Sequence, residues 1–247
     1  MKRYFIELSY LGAGYAGFQV QENAATIQGE VEKALAVFLR RKVLLTGSSR
    51  TDTGVHALQN YFHTDTDMEM DGKLLYGLNS LLPAGIAVRS ITQVEEGSHC
   101  RFDAIWRQYA YIIYAEKDPF REGRGYYYPF ELDMEEMNIA ARVVMKYHDF
   151  SAFAKRNSQV STYRCTIFDS VWEEREGCKV YRVRANRFLR GMVRGLVGTM
   201  LKVGRKKITV DQFRMIIENR NSGEVDFAVP GKGLYLEKVQ FRDGYFS

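Results

Sequence analysis

The sequence has little of what marks secreted, membrane-spanning or metal-clustered proteins. Only three cysteines occur in 247 residues, Cys100, Cys165 and Cys178, and no two form a CxxC pair. An odd, widely spaced set gives neither a disulfide framework nor a zinc site. No stretch approaches the ~18 consecutive apolar residues of a membrane span. The start, Met1-Lys2-Arg3-Tyr4, runs into strand-like sequence without the apolar core of a signal peptide. Low-complexity sequence is absent. So are the glycine pattern of a dinucleotide fold and a P-loop. These absences predict a reducing, cytoplasmic location, no membrane partner, no metal and no bound cofactor.

What is present is ordinary globular usage, 46% apolar and 26% charged residues, which excludes wholesale disorder. The length fits one or two domains with a sizeable core. The net charge of +5 conceals an asymmetry. Residues 1–104 carry 10 basic and 12 acidic side chains, whereas residues 105–247 carry 25 and 18. Between Cys178 and Val210 there are ten lysines or arginines and no acid. A polyanionic partner is the natural reading, nucleic acid being the commonest, with a solvated positive face as the alternative.

Periodicity and turn signals predict two α+β halves, 1–104 and 105–247, joined near Asp103 to Trp106. In the first half, strand-like sequence covers Arg3 to Tyr10. Thr26 caps a helix running to about Leu39, with Ile27, Val31, Ala34, Leu35 and Phe38 at helical spacing. Strands follow at Val43 to Ser48 and Leu58 to Asp65. A helix from Asp71 stops before Pro83, and a strand covers Ile86 to Val94. The second half repeats this β-α-β-β-α-β order. A strand covers Trp106 to Ala115, and a helix capped by Asp133 follows. A hairpin turns at Glu176-Gly177, Asn186 caps a helix from about Arg187 to Val203, and a strand at Leu234 to Val239 closes the chain. Flexible segments are expected at Lys117 to Pro129 and Lys155 to Arg164.

The sharpest local feature is the polar loop Ser49-Arg50-Thr51-Asp52-Thr53-Gly54-Val55-His56 between two strands. An aspartate in a glycine-containing loop can be held at a cleft wall, and an arginine beside it favours the ionised form. Such an anion serves as a nucleophile or a base. A turn aspartate bonded to its own backbone is the plainer alternative. His56 and His63 lack a third ligand and read as structural histidines.

The run Arg50 to Ala57 resembles the Arg-Thr-Asp-Ala-Gly-Val-His signature of the tRNA pseudouridine synthase A family. Tyr10 to Gln19, Asn79-Ser80-Leu81-Leu82-Pro83, Arg101-Phe102-Asp103-Ala104, Tyr109 to Tyr114, Met192 to Gly198 and Gly233 to Leu236 match it too, in order. The resemblance spans nearly the whole chain. It implies two α+β domains sharing an extended, mainly antiparallel sheet with a central cleft. It also implies a homodimer, and isomerisation of uridine to pseudouridine in the tRNA anticodon stem-loop, at positions 38 to 40. No cofactor is required, because no atom is added and no redox change occurs. Asp52 matches the catalytic aspartate. Arg50 matches the arginine that fills the space left by a flipped uridine and binds phosphate. Tyr109 matches the active-site tyrosine, and Arg194 the arginine that faces the aspartate.

On the expected helix, Arg187, Arg190 and Arg194 fall on one face at i, i+3 and i+7, with Gly191 and Gly198 on the same side. Arg187, Arg190, Lys202 and Arg205 are the expected RNA-binding residues. Tyr126-Tyr127-Tyr128 suits base stacking or a packed strand edge equally. The sequence departs from the family at Thr53, where alanine is usual, at Ser49, where glycine is, and at Phe18, where tryptophan is. Two rival readings are an RNA-binding module without catalysis and a carboxylate hydrolase with a second acid.

Overall fold

The computed structural model describes residues 1–155 and 160–246. In chain order the elements are β1 (Lys2–Tyr10), α1 (Ile27–Leu39), β2 (Thr46–Gly47), β3 (His56–Thr66), α2 (Gly72–Leu81), β4 (Ile86–Val94), β5 (Trp106–Tyr114), β6 (Tyr126–Tyr127), α3 (Met134–Val144), β7 (Ile167–Arg175), β8 (Cys178–Ala185), α4 (Met192–Gly204), α5 (Val210–Glu218) and β9 (Leu234–Gln240). The fold is α+β. Among the described residues, no helix is long and apolar enough to cross a membrane. The chain divides into two compact units, one of Met1–Ile105 with the residues from Tyr235 onward, the other of Trp106–Leu234.

In the first unit, β1 lies antiparallel between β3 and β4, and β9 joins the far edge of β3 in parallel. The expectation placed residues 105–247 together, but the closing strand and C-terminal turn belong with the first unit. The physical reason is a run of non-local contacts. The Tyr235 ring stacks on His56 at 4.6 Å between centroids. The backbone N–H of Val239 donates to Gln59 Oε1 at 3.0 Å. Phe241 then packs against both Phe5 and Tyr61, which burial rewards strongly for aromatic rings.

α1 begins where expected, with Thr26 accepting from the Gly29 N–H, and its apolar face buries Ile27, Val31, Ala34, Leu35 and Leu39. The strand expected over Val43 to Ser48 shrinks to two residues. Side chains of α1 take the backbone groups that would have formed a longer ladder. Gln28 Nε2 donates to Leu45 O at 2.9 Å, and Leu45 N donates to Glu32 Oε1 at 2.9 Å.

In the second unit, β8 lies antiparallel between β5 and β7, and β6 pairs with β5. α3 packs on β7 and against α4 and α5. The β7–β8 hairpin turns through Glu176 and Gly177, both at positive φ, the geometry a two-residue turn of the right twist requires. The segment expected to be flexible at Lys117 to Pro129 contains β6 and a turn fixed by Asp118, which accepts from Phe120 N and Arg121 Nε. Of the other expected flexible segment, Arg156 to Gln159 lie outside the described residues.

The largest difference concerns α4. It starts at Met192, not near Arg187. Asn186 Oδ1 accepts from Thr166 N at 2.8 Å as well as from Arg187 N, so its side chain ties two loops together and caps no helix. Gly191 sits at φ 75°, a left-handed conformation that a right-handed helix cannot include. Arg187 and Arg190 therefore precede the helix and share no helical stripe with Arg194.

A compact group of His63, His99 and Cys100 lies in the first unit, its nitrogen and sulfur atoms within 4.8 Å of one another. His63 Nδ1 lies 3.2 Å from Cys100 Sγ, and that thiol donates to Thr46 O. Burial, with His99 and Arg3 nearby, pushes His63 down to about 4. A buried neutral histidine must take up a proton before it tolerates acid, so the folded state binds fewer protons than the unfolded one below pH ~6.5. We expect stability to be full above pH ~6.5 and to fall as pH drops towards 4, with His63→Leu flattening that slope. Thermal unfolding midpoints of both proteins across this range check it. A wild-type midpoint that stays flat from pH 6.5 to 4 contradicts it.

Candidate active site

The loop carrying Asp52 is held by buried side chains of Tyr10 and Asn60 and by the backbone of Phe18. Tyr10 Oη lies 2.8 Å from Thr51 Oγ1. Asn60 Nδ2 donates to Ser49 O at 2.9 Å and to Tyr10 Oη at 3.2 Å. The loop closes on itself through Val55 N to Asp52 O at 3.1 Å, with Gly54 at φ 77° making the turn. Phe18 N donates to Thr51 O, and Phe18 O in turn accepts from Gln28 N in the first turn of α1. Gly12 N donates to His56 Nδ1 at 3.0 Å, so this imidazole nitrogen is an acceptor and His56 is structural. Thr51 is buried, Asp52 is half-buried, and Arg50 and Thr53 are exposed. The loop is thus a braced shelf on which Asp52 is half-buried and Arg50 exposed.

Tyr109 and Arg194 both belong to the second unit. Tyr109 is nearly buried on β5, edge-on to Phe188 at 5.0 Å. Arg194, in the first turn of α4, donates from Nε to Val229 O at 2.8 Å and from Nη2 to Phe227 O at 3.2 Å. Two carbonyls thus fix the plane of the guanidinium. The small residues of α4 explain how that segment comes so close. A Cβ on Gly198 would lie 2.2 Å from Asp226 O, and one on Gly195 2.8 Å from the Phe227 ring. The glycine side of the helix is therefore occupied by the chain's own residues 225–229. Tyr111, on the same face of β5 as Tyr109, donates to Pro230 O at 2.8 Å. Burial raises the Tyr111 hydroxyl far above its usual range, Tyr126 adds to that, and Arg194 opposes it.

Of the four expected RNA contacts, Arg190 is exposed and Arg187 half-buried, both in the loop before α4. Lys202 Nζ donates to Glu224 O at 3.1 Å, and Arg205 lies over the Phe130 ring at 3.9 Å. Sequence reasoning missed Asn60. It stands beside a second amide, Gln59, in a strand of mixed polarity, and only its full burial singles it out.

Similarity to known proteins bears on what this arrangement is. The profile of the tRNA pseudouridine synthase family matches residues 147–242. The chain is 42% identical over 249 residues to the tRNA pseudouridine synthase A of Parabacteroides distasonis, covering 100% of this chain and 98% of that protein. It is 42% identical to the protein of the same name from Bacteroides thetaiotaomicron over 251 residues, covering 100% of this chain and 93% of that one. Against a Staphylococcus aureus relative, also named tRNA pseudouridine synthase A, identity is 36% over 96% of this chain and 91% of the other.

The chain belongs to the tRNA pseudouridine synthase family. It is an isomerase: uridine and pseudouridine contain the same atoms, joined differently.

Within this synthase one departure from the family pattern, Phe18, has a local explanation. Phe18 is buried and stacks on Phe62 at 4.6 Å, where a Cβ on Gly47 would reach its ring at 2.3 Å. A larger indole has no room there. Ser49 is buried beside Arg50, and its Oγ has no hydrogen-bond partner among the described residues. The shelf also depends on Gly12, where a Cβ would lie 2.0 Å from Val55 O. Backbone cannot yield as a side-chain tip does. We expect Gly12→Ala to destabilise the protein by ~1–3 kcal/mol, as overpacking does, and to slow pseudouridine formation. An unchanged unfolding midpoint and rate would contradict the brace.

Proposed function

We propose that the protein isomerises uridine to pseudouridine in the anticodon stem-loop of tRNA, with Asp52 as the reacting carboxylate. The N1–C1′ bond breaks, the uracil rotates, and C5 bonds to C1′. The proton on C5 leaves to solvent and N1 gains one, so atoms and electrons balance without a cofactor. Asp52, ionised, either attacks C1′ or removes a sugar proton. Tyr109 orients the uracil as it turns. Arg194 supplies a fixed positive charge for the carboxylate, and Arg50 takes the place of the flipped nucleotide. On this reading the working protein is a cytoplasmic homodimer whose basic residues Arg187, Arg190, Lys202 and Arg205 lie along the RNA.

The observation that carries the reading is the shelf itself. The Arg50-Thr51-Asp52 run, matched to the family signature, is immobilised by Tyr10, Asn60 and Phe18, with Asp52 half-buried and Arg50 exposed. A structural turn would not need so many buried partners to hold so polar a loop. Mapping pseudouridines in tRNA from cells with and without this gene tests it. Loss of anticodon-stem pseudouridine in the deletion supports the reading. An unchanged pattern overturns it.

A further inference from the structure

Beside the Asp52 shelf the first unit has a concavity of which the reaction as described uses only Arg50. Its wall includes Arg50, Arg101, Phe102, His99 and Gln19, and no acidic side chain lines it. Arg50 is exposed and makes no hydrogen bond or ion pair among the described residues. Arg50 and Arg101 both line this hollow and no acidic residue does, so its potential is positive. The ring of Phe102 is 72% exposed at the rim.

That ring is exposed but not loose. The turn beneath it is closed by Phe102 N and Asp103 N, both donating to His99 O, at 3.1 and 3.0 Å. His99 N donates to Asp103 Oδ2 at 2.7 Å. The His99 imidazole lies 4.2 Å from the Phe102 ring, and its other neighbour is the buried His63 ring at 4.6 Å. The Arg101 guanidinium lies over the Phe102 ring at 5.6 Å. A rigid aromatic face kept in water beside two cations is the combination that single-stranded nucleic acid uses: stacking for the base, guanidinium for the phosphate.

We propose that this concavity binds a second nucleotide of the RNA, next to the uridine being isomerised, with its base stacked on Phe102 and its phosphate held by Arg101. The inference rests on the RNA-substrate reading above. It makes Phe102 and Arg101 positioning residues that set where the strand lies when the target uridine leaves its stack. Because they touch a neighbouring nucleotide, they act on how the RNA is held and not on the bond changes.

The test uses the full-length protein and an unmodified tRNA transcript as probe. We expect Phe102→Ala to weaken equilibrium binding by about 5- to 100-fold, the range of one lost stacked base. Turnover at saturating transcript should stay within about twofold, and the unfolding midpoint should not move, since the ring is mostly in water. Phe102→Trp should bind about as well as the original, whereas Phe102→Leu, apolar but without a π-face, should not. Arg101→Gln should lower the slope of log affinity against log salt by about 0.7 to 0.9, one phosphate contact. Wild-type affinity in Phe102→Ala, full rescue by leucine, or an unaltered salt slope in Arg101→Gln each overturns the proposal. Binding requires no turnover, so these measurements judge the pocket even if the wild type makes no pseudouridine. A wild type that makes pseudouridine while Phe102→Ala binds normally removes the pocket and leaves the function standing.

Discussion

Asp52→Asn should abolish measurable pseudouridine formation, with an expected loss of ~10⁴-fold, the upper end of what one positioned acid–base group contributes. The substitution keeps size and shape and removes only the charge. It also leaves the shelf intact. The bonds that hold the loop run through Thr51, Ser49 and the backbone oxygen of Asp52, none of which changes. Affinity for tRNA should stay within a few-fold, because the lost group is an anion facing a polyanion. Tritium release from tRNA containing [5-³H]uridine reads the chemistry, and filter binding reads the affinity. Normal tritium release by Asp52→Asn would remove this residue from the reaction.

Arg194→Met comes second. Methionine keeps much of the stem and removes the guanidinium. Two effects follow and are separable. The carbonyls of Val229 and Phe227 lose their donors, which costs ~1–3 kcal/mol of stability where they are buried. Turnover falls further, because a carboxylate drawn into a water-poor site without a cation is expensive to keep ionised. The loss should therefore sit in kcat, measured at a temperature where the variant is folded, with a smaller change in KM. Arg194→Lys should retain more activity without recovering it fully, since lysine cannot bond two carbonyls in one plane and present a third edge. If saturating tRNA restored the single-turnover rate of Arg194→Met, the residue would be an RNA contact only.

What the sequence made legible is what its local chemistry decides. Thr26, Asp71 and Asp133 each cap the helix expected to follow, because a side-chain oxygen needs only the N–H groups two or three residues on. The strand at Ile86 to Val94 was readable for a similar reason: Pro83 stops α2, and the apolar run after it is short. The misread elements all depend on distant partners. Asn186 looks like a cap until Thr166, 20 residues earlier, takes its oxygen. The strand before the loop is cut short by Gln28 and Glu32 of a helix already complete. β9 follows the second half in the chain but pairs with β3, for which nothing in its own composition speaks.

The site shows the same division. Asp52, Arg50, Tyr109 and Arg194 stand out in ordered motifs, whereas the residues that hold them do not. Asn60 is one of several polar residues in its strand, and the need for glycine at position 12 is visible only once Val55 is beside it. His63 lacked partners in the linear reading because His99 and Cys100 lie more than 30 residues away. Arg101-Phe102 was legible as part of a family motif, but its exposure beside Arg50 was not.

The central claim is the proposal that Asp52 and Arg194 act on a single uridine. A double-mutant cycle tests it most directly. Single-turnover rates are measured for Asp52→Glu, which displaces the carboxylate, for Arg194→Lys, and for the two together, at saturating tRNA. Groups that act on one uridine in contact should be coupled by ~0.5–3 kcal/mol, so the double variant should be markedly faster than the product of the single losses predicts. Losses that multiply, with coupling below ~0.3–0.5 kcal/mol, would show two independent groups and contradict the account.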